Sequence, residues 1–173
     1  MLTKLIADKR EDIHKQWFDM IVASYPENTA DFLKNQKNQF ANPVGHTIRE
    51  MTAGVLDALA NKRAPKDAYD FIDRFVRVRA VQDFTPSKAL DFLFMLKKII
   101  RDEFKDELKN KDLYEEFHAI NSTIDDMVLG AFESYVKYRE RIYELKVNEF
   151  KNMAYRLLEK ANLTFEFKDE NSV

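Results

Sequence analysis

Apolar residues recur every three or four positions along most of the chain, with charged residues between them. This spacing predicts a series of amphipathic helices. The first predicted helix covers residues 2–25 and ends before Pro26, because the residue preceding a proline avoids the helical conformation. A short segment at 29–33 follows, and further helices begin after Pro43 and at Pro65. The pattern predicts an all-α protein.

The stretch RAVQDFTPSKALDFLF, residues 79–94, joins two of these predicted helices. Thr85 has the type and position of a helix N-cap whose hydroxyl accepts from a first-turn N–H, and Pro86 suits the first helical position. The helix that follows, over about residues 86–108, is apolar on every side, and Phe94 is one of its large residues. A helix without a polar face is typical of the centre of a bundle, so we predict that it is the central helix.

An apolar stripe from Leu113 to Leu145 advances by threes and fours along the last predicted helix. A stripe of this length exceeds what an antiparallel partner in the same bundle can cover. We therefore expect a homodimer that uses the end of this helix. The candidate dimer and output residues are Tyr135, Tyr138, Ile142 and Leu145.

The same reasoning divides the chain into three parts. Residues 1–140 are predicted to form a helical domain, and residues 141–163 a helical, coiled-coil-like extension. Residues 164–173 are predicted to be a tail with a weak strand-like alternation.

Composition narrows the class of protein. With 173 residues, 45% hydrophobic and 34% charged, the chain is predicted to be one soluble globular domain. A net charge of −2 argues against nucleic-acid binding. The absence of cysteine excludes disulfides, thiolate metal sites and thiol catalysis. No apolar run approaches the ~18 to 20 residues that cross a bilayer, and no secretory signal pattern opens the chain, so we expect a cytoplasmic protein.

The three histidines bear on haem, because a globin-type haem iron needs an imidazole facing an apolar pocket. His14, His46 and His118 each fall on a charged or boundary face of their predicted helices. Glu115 and His118 form a single Glu-x-x-His pair, whereas a di-iron bundle site needs two such pairs. We therefore predict no metal site and no cofactor.

No glycine-rich phosphate loop, nucleophile elbow or catalytic triad pattern is present, so we predict no catalytic residues and no enzyme activity. Arg79 shares a helix face with Phe75 and Ile72, and this position predicts a partly buried guanidinium. Such a group needs a partner, and Asp83 is the nearest acid in sequence. The candidate ligand or partner site is accordingly Arg79, Gln82 and Asp83.

The segments SYPENTADFL, FANPVGHTI and VRVRAVQDFTPSKALDFLFMLKKIIRDEF, within residues 10–108, resemble the N-terminal domain of RsbRD-type co-antagonist proteins, bacterial relatives of the stressosome RsbR sensors. The resemblance implies a globin-like domain that has lost haem, dimerises and acts as a signal-input module in stress regulation. RsbR-type proteins continue into a STAS domain, for which the residues after 108 leave no room. The resemblance thus implies a stand-alone sensor domain in which residues 112–160 replace the last globin helix and the linker helix.

Taken together, these patterns favour a non-catalytic sensory or regulatory domain. It would bind a small ligand or protein partner and signal through a dimeric C-terminal helix. Two alternatives remain open at this point: a haem or oxygen-binding globin that uses one of the three histidines, and a structural adaptor of a larger complex.

Overall fold

In the computed structural model of the chain, the described residues are 1–60, 65–82 and 84–161. All regular secondary structure within these ranges is helical, which confirms the all-α prediction. A 3₁₀ turn at Glu107–Lys109 precedes the last helix. The helices are α1 (Leu2–Asp8), α2 (Arg10–Val22), α3 (Glu27–Asn35), α4 (Pro43–Leu59), α5 (Pro65–Val81), α6 (Pro86–Glu103) and α7 (Lys111–Lys160).

The chain divides into two compact units. The first unit is Met1–Tyr138, and it holds α1 to α6 and the first part of α7. Its helical arrangement is compatible with a globin-like bundle. The second unit is Arg139–Val173, of which residues 139–161 are described. The predicted tail at 164–173, with its strand-like alternation, lies outside the described residues.

Two helices replace the single helix predicted over residues 2–25. The backbone leaves the helical conformation at Lys9, with φ −98° and ψ 14°, and α2 ends at Val22. The break lets α1 pack on α4 while α2 packs on both α4 and α6. Apolar periodicity does not reveal a break of one residue, because the spacing of the buried side chains continues across it.

The core of the first unit is built where α2, α4, α5 and α6 meet. The indole Nε1 of Trp17 donates to the Phe92 carbonyl at 2.7 Å, and the Phe75 and Phe92 rings meet edge to face at 5.0 Å. Gly54 brings α4 close to α5, since a Cβ at this position would overlap the Phe71 ring. These contacts leave Trp17, Phe75 and Phe92 with no exposed surface.

The starts of α4 and α6 differ in how their cap residues bond. The buried Asn42 accepts from the Gly45 N–H at 2.8 Å and caps α4, and its amide also donates to the Leu33 and Gln36 carbonyls. Thr85 occupies the predicted N-cap position of α6, before Pro86. The predicted hydroxyl bond is wrong, because the Thr85 hydroxyl accepts from no first-turn backbone N–H and instead lies 3.5 Å from the Ser87 hydroxyl.

Helix α6 has an exposed face, contrary to the prediction that it is enclosed on every side. Phe92, Leu93 and Leu96 are buried, whereas the Phe94 side chain is 54% exposed. The helix ends at Glu103 and not near residue 108. The dense apolar run conceals which residues face inward, and only the neighbouring helices decide it.

Candidate functional site

The guanidinium of Arg79 lies at the joint between α5 and α6 and has no exposed surface. Its Nη1 donates to the Lys88 carbonyl at 2.9 Å, and its Nη2 donates to the Ser24 hydroxyl at 3.0 Å. Lys88 belongs to the first turns of α6, and Ser24 follows the end of α2. One side chain therefore ties together the ends of three helices.

Three aromatic rings surround this guanidinium. The Arg79 Cζ lies 4.3 Å from the ring centroid of Phe84, 4.9 Å from that of Phe75 and 5.0 Å from that of Tyr25. The negative face of an aromatic ring attracts a cation, and this attraction strengthens when water is excluded. The rings therefore offset part of the cost of burying the charge.

The described acid nearest to this charge is Asp91 on α6, whose Oδ1 lies 3.9 Å from the Arg79 Nη1. Burial raises the pKa of Asp91, and the neighbouring Arg79 opposes that rise. Burial also lowers the pKa of Arg79. The predicted partner Asp83 lies outside the described residues. Asp91 is twelve positions from Arg79 and becomes its neighbour only because the chain folds back at the joint, so local spacing could not indicate it.

Two predicted groups of site residues meet at this joint. Gln82 accepts from the Tyr25 hydroxyl at 3.0 Å, and the Tyr135 hydroxyl of α7 donates to the Phe84 carbonyl at 2.5 Å. Tyr135, a candidate output residue, is thus in contact with the segment that carries the candidate ligand residues. Because its side chain is only 5% exposed, it offers a partner protein little surface. We name Arg79, its three rings and the Tyr135 contact the Arg79 joint.

Helix α7 also makes a contact with α5. The Tyr138 hydroxyl donates to the Asp73 carboxylate at 2.6 Å, and this bond raises the pKa of Tyr138. Nearby, a cleft of about 230 Å³ opens between Tyr69 and Asp70 on one side and Gly130 and Ser134 on the other. Tyr138, like Tyr135, uses its polar atom within its own chain.

The described part of the second unit presents a different surface. Ile142 is half-buried, and beyond it every residue from 143 to 161 is exposed except the half-buried Ala154. Large apolar side chains in this stretch are 47% to 66% exposed. They are Tyr143, Leu145, Val147, Phe150, Met153, Tyr155, Leu157 and Leu158.

The histidines occupy three unlike environments. His14 is half-buried, with its Nδ1 3.0 Å from the Thr52 hydroxyl, and burial lowers its pKa. His46 lies 3.5 Å from Glu50, and His118 is exposed with its ring edge-on to Tyr114. Across residues 1–60, 65–82 and 84–161, no group of three or more acids and histidines is arranged to hold a metal ion.

The fold and the joint define an all-helical protein in which one buried arginine ties together the ends of three helices. A family model described as the RsbT co-antagonist protein RsbRD N-terminal domain matches residues 11–149, which is most of the chain. The chain therefore belongs to this family, as the resemblance implied, and the match extends beyond residue 108 into α7. Among curated proteins and among solved structures there is no match to this chain. Within the described residues, none of the helices combines the length and apolar character that a membrane span requires.

Proposed function

We propose that this chain is a non-catalytic sensory domain of bacterial stress signalling that works as a homodimer without haem. It takes its input from a small ligand or a protein partner. It passes the signal through the part of α7 that lies in the second unit. Membership of a family of N-terminal domains from RsbT co-antagonist proteins supports a regulatory role. A cytoplasmic location is consistent with that role.

The exposed apolar surface of residues 143–158 is the observation that carries the proposal. Eight large apolar side chains in this stretch are about half to two-thirds exposed. Each square ångström of apolar surface removed from water is worth roughly 25 cal/mol, and a large exposed patch of this kind marks an interaction site. A second copy of the same helix would cover part of it.

Analytical ultracentrifugation of the full chain tests this proposal. The wild-type protein should sediment as a dimer at tens of micromolar, and the double variant Phe150→Glu/Leu157→Glu should sediment as a monomer, because a buried charge without a partner is costly. Circular dichroism should show the same helix content and melting temperature for the first unit in both proteins.

The control variant is Phe40→Glu, which changes a side chain that is 87% exposed and lies between α3 and α4. It should remain dimeric. A wild-type protein that stays monomeric up to several hundred micromolar would contradict the dimeric mechanism.

We propose that the input acts at the Arg79 joint, next to Gln82. The support is geometric: Gln82 and Val81 are exposed there, and the Tyr135 hydroxyl joins the Phe84 carbonyl to α7. A ligand or partner that moves this segment would change the contact with α7. Amide hydrogen exchange of α7 around residue 135 should accelerate in Tyr135→Phe and in Arg79→Lys. If the amide protection of α7 is the same in both variants as in the wild-type protein, the Arg79 joint does not transmit the signal to α7.

Haem titration separates this proposal from a haem-binding globin. A Soret band that is lost in a single variant among His14→Ala, His46→Ala and His118→Ala would favour the globin. A thermal-shift screen separates it from a structural adaptor, because a sensor ligand that binds only the folded state must raise the melting temperature.

A further inference from the structure

Part of the apolar surface of the second unit follows a strict heptad spacing. Tyr143, Val147, Phe150, Ala154 and Leu157 advance by four, three, four and three residues. This is the spacing of the a and d positions of a coiled coil, and on a helix it places all five side chains on one face. All but the half-buried Ala154 are exposed. We name this row the heptad face.

The heptad face differs from the face that carries Leu145. At 100° per residue, Leu145 points roughly 160° away from the middle of the row, and Ile142 roughly 100° away. Two helices that pair along the heptad face therefore leave Leu145 on the outside. The heptad spacing selects one of the possible pairing surfaces of this helix.

We propose that the heptad face pairs with the same face of a second copy of this chain in antiparallel orientation, centred between Val147 and Phe150. This inference rests on the homodimer of the proposed function and adds its orientation and register. In this arrangement Tyr143 lies opposite Ala154 of the second copy, and Val147 lies opposite its Phe150. Each of these layers then combines a large ring with a smaller side chain, and Leu157 lies beyond them, opposite Glu140 of the second copy. A parallel pair would instead place ring against ring in some layers and alanine against alanine in another.

Charges beside the heptad face favour the same register. Glu144 and Lys151 occupy equivalent flanking positions one heptad apart. Antiparallel pairing centred as proposed places Glu144 of each copy next to Lys151 of the other. A shift of one heptad in one direction would bring the two Glu144 side chains together. A shift of one heptad in the other direction would bring the two Lys151 side chains together. Both shifts therefore place like charges side by side. A parallel pair would place Lys146 next to Lys151 and Arg139 next to Glu144, so that a repulsive contact offsets an attractive one.

Contacts within the helix are compatible with this pairing. Glu144 lies 3.2 Å from Arg141, and Arg139 donates to the Tyr143 hydroxyl at 2.8 Å. Both contacts are exposed, and exposed ion pairs contribute little, so Glu144 can also reach a second helix. Two heptads form a short coiled coil, so we expect a dimer that forms at tens of micromolar and dissociates in dilute protein.

Covalent capture is well suited to this chain because it contains no cysteine. The variants Tyr143→Cys and Ala154→Cys should each form little disulfide-linked dimer alone under mild oxidation, since equal positions lie about 16 Å apart along an antiparallel pair. An equimolar mixture of the two should give a 143–154 disulfide, identified by mass spectrometry of the joined peptides, at least tenfold above either variant alone.

Each other outcome overturns the inference. If Tyr143→Cys alone cross-links as readily as the mixture, the pairing is parallel, and the homodimer stands while this inference fails. If no sample cross-links but the proteins sediment as dimers, the dimer uses another face. If the proteins are monomeric as well, the dimer of the proposed function fails together with its orientation.

Charge exchange provides an independent measurement by sedimentation of the full chain. Glu144→Lys and Lys151→Glu should each weaken the dimer by about threefold to tenfold, and the double variant should recover the wild-type affinity. In a parallel pair, Lys151→Glu would strengthen the dimer because it faces Lys146. A double variant no tighter than the weaker single variant also overturns the inference.

Discussion

The two units of this protein carry similar apolar residues in opposite environments. In the first unit Phe92 and Leu93 have no exposed surface, whereas in the second unit Phe150 and Leu157 are 66% and 61% exposed. Both pairs lie on regular α-helices. Helical periodicity alone therefore does not distinguish a core-forming side chain from one that a protomer leaves in water.

The comparison separates two sources of helix stability. The helices of the first unit bury side chains against several neighbours, and tertiary burial supplies most of the stability of such helices. Residues 139–160 show local contacts instead, such as Arg141 with Glu144, each worth a few tenths of a kcal/mol. An apolar surface that brings no stability within the protomer is expected to serve an interaction.

The sharpest test of the contrast makes the same substitution in both units. Phe92→Ala should lower the free energy of unfolding by about 3 to 5 kcal/mol, because it leaves a cavity beside Trp17 and Phe75. Phe150→Ala should lower it by less than about 0.5 kcal/mol in dilute protein, where the dimer is dissociated. Urea unfolding monitored by circular dichroism measures both. Comparable losses would mean that Phe150 is covered within the protomer. Phe94→Ala should fall between the two.

Arg79→Ala should have the next largest effect. It removes a charge enclosed by three rings together with the donors to Ser24 and Lys88, and we expect a loss of about 2 to 4 kcal/mol in the free energy of unfolding. Arg101→Ala is a suitable control, because Arg101 on α6 is 60% exposed and should cost less than about 0.5 kcal/mol. Equal effects of the two substitutions would refute a structural role for the Arg79 joint.

Tyr138→Phe tests the contact of α7 with α5. Loss of the hydroxyl bond to Asp73 should cost about 0.5 to 1.5 kcal/mol. Tyr155→Phe, which removes a hydroxyl from a side chain that is 59% exposed in the second unit, should leave stability unchanged. Thermal unfolding of the two variants gives the comparison, and a larger effect at Tyr155 would reverse our assignment of the packed and exposed units.

The smallest effect concerns pH and His14. Burial lowers the pKa of the His14 side chain from 6.5, so the imidazole binds a proton more weakly in the folded chain than in the unfolded chain. Stability should therefore fall slightly as pH drops below about 6.5 towards the lowered value. The fall should be smaller in His14→Asn and unchanged in His118→Asn, measured as melting temperature at about pH 7.5 and pH 5.5. An identical decline in His14→Asn and wild type would show that other groups cause it.

Several features could be predicted from local sequence. The helical spacing, the proline at the start of α4, α5 and α6, and the N-cap position of Thr85 all appear in the structure. The break at Lys9 and the exposure of Phe94 could not be predicted, because both depend on which helices lie alongside. The Asp91 neighbour of Arg79 depends in the same way on the reversal of the chain at the joint.

The sequence alone determined that the chain is helical and that its last helix carries a long apolar pattern, because spacing along one helix is a local property. The tertiary structure decided which part of that pattern is buried, and it enclosed Arg79 between three rings and the ends of three helices. Burial depends on neighbours distant in sequence, and the same Phe or Leu stabilises a core or offers an interface according to whether a second helix lies against it.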